Sequence, residues 1–236
     1  MIDYRQDGAV AHIRLDTPET GNRFTYRLML DFIAALERAA SDGAHVLLLD
    51  AAGDDFTFGR DQQERLENVS RHESLGLILR ANAALQRFPG VSVALINGHA
   101  LGFGSGLSLH STISIAADDA VLGFDEIAHN LAPLVVVAYL PHFVGPRVAE
   151  ELTLTGRHVR AEEAQRLGLV TRVVPAAQLR AAGEEVVASL RARPAGALRQ
   201  IRRFARAGQG VGGYPSEERL QQGVDELVAW LEAGRP

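Results

Sequence analysis

Cysteine is absent from the 236 residues, which excludes disulfides, thiolate nucleophiles and cysteine-ligated metals. Lysine is absent too: all 24 residues counted as Lys or Arg are arginine. Schiff-base chemistry, a lysine-bound pyridoxal and a P-loop lysine are therefore excluded. Positive charge is in deficit, with a net charge of −5 at pH 7. No global basic field is present, so nucleic acid is not an expected partner. No apolar run reaches the roughly 18 residues needed to span a bilayer, so no membrane partner is expected either. The opening residues MIDYRQDGAV lack a charged-then-apolar leader pattern, and a cytoplasmic location is the expectation. The eight histidines show no ligand spacing, so no metal is expected. What remains is ordinary: 47% hydrophobic and 22% charged residues, a balance that supports one large core and argues against wholesale disorder.

The apolar pattern alternates between strand and helix. Residues 9–15 alternate apolar with polar and predict a half-buried strand; a loop with Asp16, Pro18 and Gly21 follows. Leu28, Phe32, Ile33 and Leu36 recur at helical spacing over 25–40, with Thr25 as the cap. VLLLDAA and VSVALI (91–96) are short, wholly apolar runs and predict buried strands. A helix is predicted over 71–87, stopped by Pro89 and Gly90. Gly98, Gly102, Gly104 and Gly106 then crowd a turn, and 119–127 reads as strand and turn. Further helices are predicted over 147–154, 161–168, 177–192, 195–206 and 216–233, with a short strand in LVTRVVP. Strand–helix alternation followed by helices argues for an α/β fold with a helical C-terminal appendage.

Four segments together resemble the crotonase superfamily, the enoyl-CoA hydratase/isomerase family. RLDTPETGNRFTYRLMLDF resembles its Pro-x-x-x-Asn stretch, and GDDFTFGRDQQE its Phe-x-x-Gly-x-Asp loop, here Phe56, Gly59 and Asp61. VSVALINGHALGFGSGLSL resembles its strand and Gly-rich turn, and LTLTGRHVRAEEAQRLGLVTRVVP its Leu-Thr-Gly-Arg, Gly-Leu-Val and Val-x-Pro series. The resemblance implies a ββα spiral core over 1–175 and a C-terminal helical region over 176–236 that assembles a homotrimer or a dimer of trimers. It also implies an acyl-CoA thioester substrate, with no cofactor beyond the CoA that the substrate carries.

The chemistry implied is stabilisation of an enolate on the thioester oxygen by two backbone N–H groups, each worth about 2.7–4 kcal/mol in catalysis. Matching the motifs puts these donors on Arg60 and Phe103. A Gly-rich turn that opens a helix, Gly102-Phe103-Gly104, supports the second through its unpaired N–H groups and helix dipole. The same glycines also fit plain tight packing of strand on helix. Small residues are usual at both donors; here a guanidinium and a phenyl ring stand there, and the guanidinium is expected to turn outward to the CoA phosphates.

A hydratase of this family holds its water between two glutamates. The first would fall three residues after Phe103, where this chain has Gly106. The second aligns with Glu126, which local sequence alone would read as a solvated loop acid. One carboxylate suffices to shuttle a proton between C2 and C4, so the resemblance leans to double-bond isomerisation. Hydration, crotonase-type carbon–carbon hydrolysis or decarboxylation, and a non-catalytic CoA-thioester binder stay open. For a base, Glu126 needs an apolar wall, which Leu131, Leu134, Val135 and Phe103 are expected to supply, with Pro133 a further pocket candidate. His99 and His129 are candidates to replace the missing acid, since imidazole titrates near neutrality, although either also fits a histidine bonded to loop backbone. Asp61 reads as a turn or cap residue and Asp125 as structural. Ser105 as a nucleophile is the weaker reading against a small residue in a tight turn, because Gly102–Gly106 is not a Gly-x-Ser-x-Gly elbow. Of the C-terminal stretch, six arginines over 191–208 read as a solvated face with anion contacts, and Phe204 and Trp230 as packing anchors.

Overall fold

The computed structural model describes residues 1–207 and 215–233. Its frame is a six-stranded sheet: β1 (Ile2–Asp7), β2 (Val10–Leu15), β3 (Val46–Ala51), β4 (Val91–Ile96), then β6 (Ile113–Ala117) and β9 (Arg172–Val174) in that spatial order. The first pair is antiparallel and the others are parallel. A second sheet of three short strands sets β5 (His99–Leu101) beside β7 (Val121–Gly123) and β8 (Val159–Arg160). Each passage from the large sheet to the small one, β4 to β5 and β6 to β7, takes only a few residues. The chain thus winds between two sheets and encloses a core where they meet.

The helices are α1 (Tyr26–Ser41), α2 (Arg71–Arg87), α3 (Phe103–His110), α4 (Leu134–Tyr139), α5 (Pro141–Val144), α6 (Pro146–Thr155), α7 (Ala161–Leu167), α8 (Leu179–Arg191), α9 (Ala195–Ala207) and α10 (Glu217–Glu232). Helix α1 forms where Thr25 caps it, its side chain accepting from the Leu28 N–H at 3.1 Å. Its stripe of Leu28, Met29, Phe32, Ile33 and Leu36 is buried, as amphipathic spacing demands. Ser70 caps α2 in the same way, accepting from the Glu73 N–H. Helix α8 lies across β3, β4 and β6, which is why every residue of β4 is buried. None of these helices is long and apolar enough to cross a membrane.

Two departures from the sequence expectation have plain causes. Strand β1 is an extra edge strand; its residues IDYRQD are mostly half-buried, so no alternation marks them. Phe204 is not a packing anchor within this chain. It is 83% exposed, beside Ile201 at 65%, because no element among the described residues covers that face of α9. Trp230 is half-buried on α10, which packs against α2 and α4.

Candidate active site

Residues 56–60 run beside 99–103. The Thr57 N–H donates to the His99 carbonyl at 2.9 Å, and the Leu101 N–H donates to the Thr57 carbonyl at 3.0 Å. Thr57 thereby pairs in parallel with Ala100. Three residues further along each segment, the register brings Arg60 level with Phe103. The approach is close: a Cβ at Gly59 would lie 2.6 Å from the Leu101 carbonyl oxygen and 3.3 Å from the Phe103 nitrogen.

Asn22 fixes this segment from below. It is fully buried in the left-handed region at φ 52°. Its Oδ1 accepts from the Thr17 N–H, and its Nδ2 donates to the carbonyls of Ala52 and Asp55. The Thr57 hydroxyl donates to the Asn22 carbonyl at 2.7 Å and accepts from the Gly59 N–H. The Pro-x-x-x-Asn motif is thus a clamp on the segment leading to Arg60. Beyond it, the Phe24 N–H donates to the Gly59 carbonyl and the Asp61 N–H to the Phe24 carbonyl. The N–H between them, on Arg60, donates to nothing among the described residues, and neither does the N–H of Phe103 at the start of α3. Asp61 closes the loop as an Asx turn, its Oδ1 accepting from the Gln63 N–H.

Gly102 opens α3 at φ 52° and ψ −114°, a conformation suited to glycine. A Cβ there would also lie 3.0 Å from Oε1 of Glu126. Glu126 therefore hangs over the free end of α3. It begins a single 3₁₀ turn, Glu126–His129. That turn packs on α6, where Gly156 of Leu-Thr-Gly-Arg is tight against Ile127 and the Asp125 backbone. Arg157 then ties α6 to α7 through fork hydrogen bonds to Glu151 and Glu163. Leu131 returns its N–H to the Glu126 carbonyl, and Pro133 caps α4.

Glu126 as a whole is half-buried, but its Oε2 is buried and accepts no hydrogen bond among the described residues. Burial raises its pKa from 4.5 to about 7; its own main-chain N–H works in the opposite direction, and the neighbouring Asp125 charge raises it further. Asp125 in turn has Nε2 of His129 at 3.6 Å and Nε2 of His158 at 3.5 Å.

Other expected groups go elsewhere. The Phe103 ring points into the core, edge-on to Phe24 at 4.9 Å. Its bulk therefore leaves the free end of α3 open. The Arg60 guanidinium turns inward rather than outward: Nη2 donates to the Ser74 hydroxyl on α2 at 2.8 Å, and Nη1 is buried with no acceptor among the described residues. Burial lowers its pKa. Neither His99 nor His129 occupies the space left at Gly106. His99 is held by Asp55 at 2.7 Å and stacked on Phe58, and His129 is exposed. That space belongs to Tyr139, whose hydroxyl would lie 2.9 Å from a Cβ at Gly106. Ser105 is fully buried, donating to the Ala100 carbonyl and accepting from the Gly123 N–H, so its hydroxyl is committed to structure.

Tyr139 escaped sequence reading because it faces Gly106 across 33 residues with no shared motif. Ser74 and the buried Asn82 of α2, whose side chain has no partner among the described residues, escaped it for the same reason. The fit at Gly106 has a measurable consequence. Gly106→Ala should cost about 1–3 kcal/mol of unfolding free energy by overpacking, and Tyr139→Phe in the same chain should recover part of it. Urea denaturation of the single and double variants checks this; additive effects would mean that the two sites do not touch.

Residues 5–209 match the family described as Enoyl-CoA hydratase/isomerase. The chain belongs to that family. A "Probable enoyl-CoA hydratase EchA12" of Mycobacterium tuberculosis is 34% identical over 182 residues, covering 72% of this chain and 64% of that one. A "Hydroxycinnamoyl-CoA hydratase-lyase" of Pseudomonas fluorescens is 30% identical over 194 residues, covering 78% and 70%. Among solved structures, a probable enoyl-CoA hydratase from Mycobacterium thermoresistibile superposes with a TM-score of 0.86 at 30% identity, over 98% of this chain and 97% of that one. The crotonase fold expected from the motifs is the fold observed.

Proposed function

We propose that this crotonase-family enzyme isomerises the double bond of an enoyl-CoA thioester, with Glu126 as its one base. The observation that carries the reading is a buried carboxylate beside two amides, none of them with a partner among the described residues, while the place of a second glutamate is filled by a phenol. The thioester oxygen accepts from the Arg60 and Phe103 N–H groups. The positive end of α3 adds to the same point. Glu126 removes a proton at C2, charge collects on the oxygen as the dienolate, and the same carboxyl returns the proton at C4. No water is consumed, and a second acid is not required. A carboxyl with a pKa of about 7 is suited to both halves of that exchange.

Hydration is the second reading. It is favoured by the Tyr139 hydroxyl at Gly106, which would have to hold the attacking water, and by the names of the relatives. The two part in one experiment. Incubated with a 3-enoyl-CoA, an isomerase raises the absorbance of the conjugated thioester; with a 2-enoyl-CoA, a hydratase bleaches it. We expect the rise with the first and little bleaching with the second. Rapid bleaching of the 2-enoyl thioester without isomerisation would replace this reading with the other. The exposed Ile201 and Phe204 of α9 are the surface that a homotrimer would cover.

A further inference from the structure

We propose that the acyl group of the substrate ends in a carboxylate, which docks on the guanidinium of Arg60. This inference rests on the acyl-CoA reading above and adds the class of acyl chain. Arg60 is the only residue of the site that offers both a free amide and a free side-chain donor among the described residues. Its Nη2 is oriented by Ser74, whereas Nη1 is buried without an acceptor. The charges of Glu64 and Asp61 act on Arg60, yet neither carboxylate bonds Nη1 among the described residues. Glu64 spends Oε2 on the Tyr26 N–H, Asp61 spends Oδ1 on the Gln63 N–H, and no carboxylate forms an ion pair with Arg60 among the described residues.

A buried guanidinium N–H without a partner is costly, and an apolar side chain of similar size would fold at lower cost. Packing therefore does not explain arginine here; an incoming acceptor does. The guanidinium lies one side-chain length from the amide proposed to hold the thioester oxygen, on the side of α2. An acyl chain held at its carbonyl by Arg60 and extended towards Ser74 brings its far end to Nη1. A hydrocarbon tail would leave that donor unpaired, whereas a carboxylate accepts from it with a charge-assisted bond.

Binding of saturated, unreactive thioesters tests this without relying on turnover. By titration calorimetry, glutaryl-CoA should bind the wild-type protein about ten- to a hundredfold more tightly than its methyl ester. Arg60→Met should abolish that preference, and Arg60→Lys should keep part of it. Both thioesters carry identical CoA phosphates, so equal affinity for wild type would mean that Arg60 reads a phosphate or nothing; it would overturn the proposal while leaving the acyl-CoA reading intact. Binding of neither thioester would remove both. The wild-type comparison needs no variant, so misfolding of Arg60→Met leaves it decisive.

Discussion

Glu126→Gln should lower turnover by about a hundred- to ten-thousandfold, the span that a positioned general base contributes, while acyl-CoA binding persists. Glutamine keeps the shape of the side chain over Gly102 but cannot take the proton from C2. The variant should also be the more stable protein at alkaline pH. In the native state burial raises the Glu126 pKa to about 7, against about 4.3 for a free glutamate in the unfolded chain. Below the unfolded value the carboxyl is neutral in both states and contributes nothing to the pH dependence. Between the two values the unfolded chain ionises first and the native state loses stability as pH rises. Above about pH 8 the penalty is complete, at roughly 4 kcal/mol. The glutamine variant has no such term. Urea unfolding should show near-equal stabilities at pH 4 and a wild-type deficit at pH 8. The pH–rate profile of the wild type carries the same number: kcat/KM should climb with unit slope and level off above about pH 7 as the base becomes ionised. Retained activity in the variant, or a profile flat across neutrality, would remove Glu126 from the reaction.

Much of this arrangement was legible in the sequence, for local reasons. Helix α1 declares itself through Thr25 and its apolar stripe, and α2 runs over the expected 71–87. Glu126 and the two amide-bearing residues are legible because they sit inside motifs whose spacing is set by a strand and a turn. Helix α3 is different. In FGSGLSLH the sequence marks only a Gly-rich turn that opens a helix; propensity argues against its continuing, since glycine weakens an exposed helix by about 1 kcal/mol relative to alanine. It is helical because all eight residues are buried and its glycines admit Thr57 and Tyr139 at short range. Groups that meet only in the folded chain left no trace in one sequence. Nothing near Arg60 announces Ser74, and nothing near Gly106 announces Tyr139. Phe204 misled for a related reason: an aromatic on an amphipathic helix signals burial, yet nothing among the described residues covers it.

The convergence of the two amides depends on an absent methyl group, and restoring it should disable the site from a position that never touches the acyl chain. Gly59 has φ +78°, and a Cβ there would lie 2.6 Å from the Leu101 carbonyl oxygen and 3.3 Å from the Phe103 nitrogen. Gly59→Ala is thus strained twice. Its backbone must hold a left-handed conformation that costs an alanine about 1–2 kcal/mol, and its methyl group meets main chain, which cannot rotate aside. The least costly relief is separation of the 56–60 segment from 99–103, which turns the Arg60 amide away from the Phe103 amide. Asn22 resists that separation from the other side through its bonds to Ala52, Asp55 and Thr57. The fold should therefore survive with a lower melting temperature while the donor pair loses its common target. Removing one such donor costs about a hundred- to a thousandfold in kcat, and Gly59→Ala should fall in that range. The loss should appear in kcat, with a smaller change in KM, because the amides grip the oxygen most strongly when it carries charge. Substitution at Gly196, which has open space at its Cβ, serves as the control. If Gly59→Ala were as active as that control, the amides of Arg60 and Phe103 would not be acting on one oxygen.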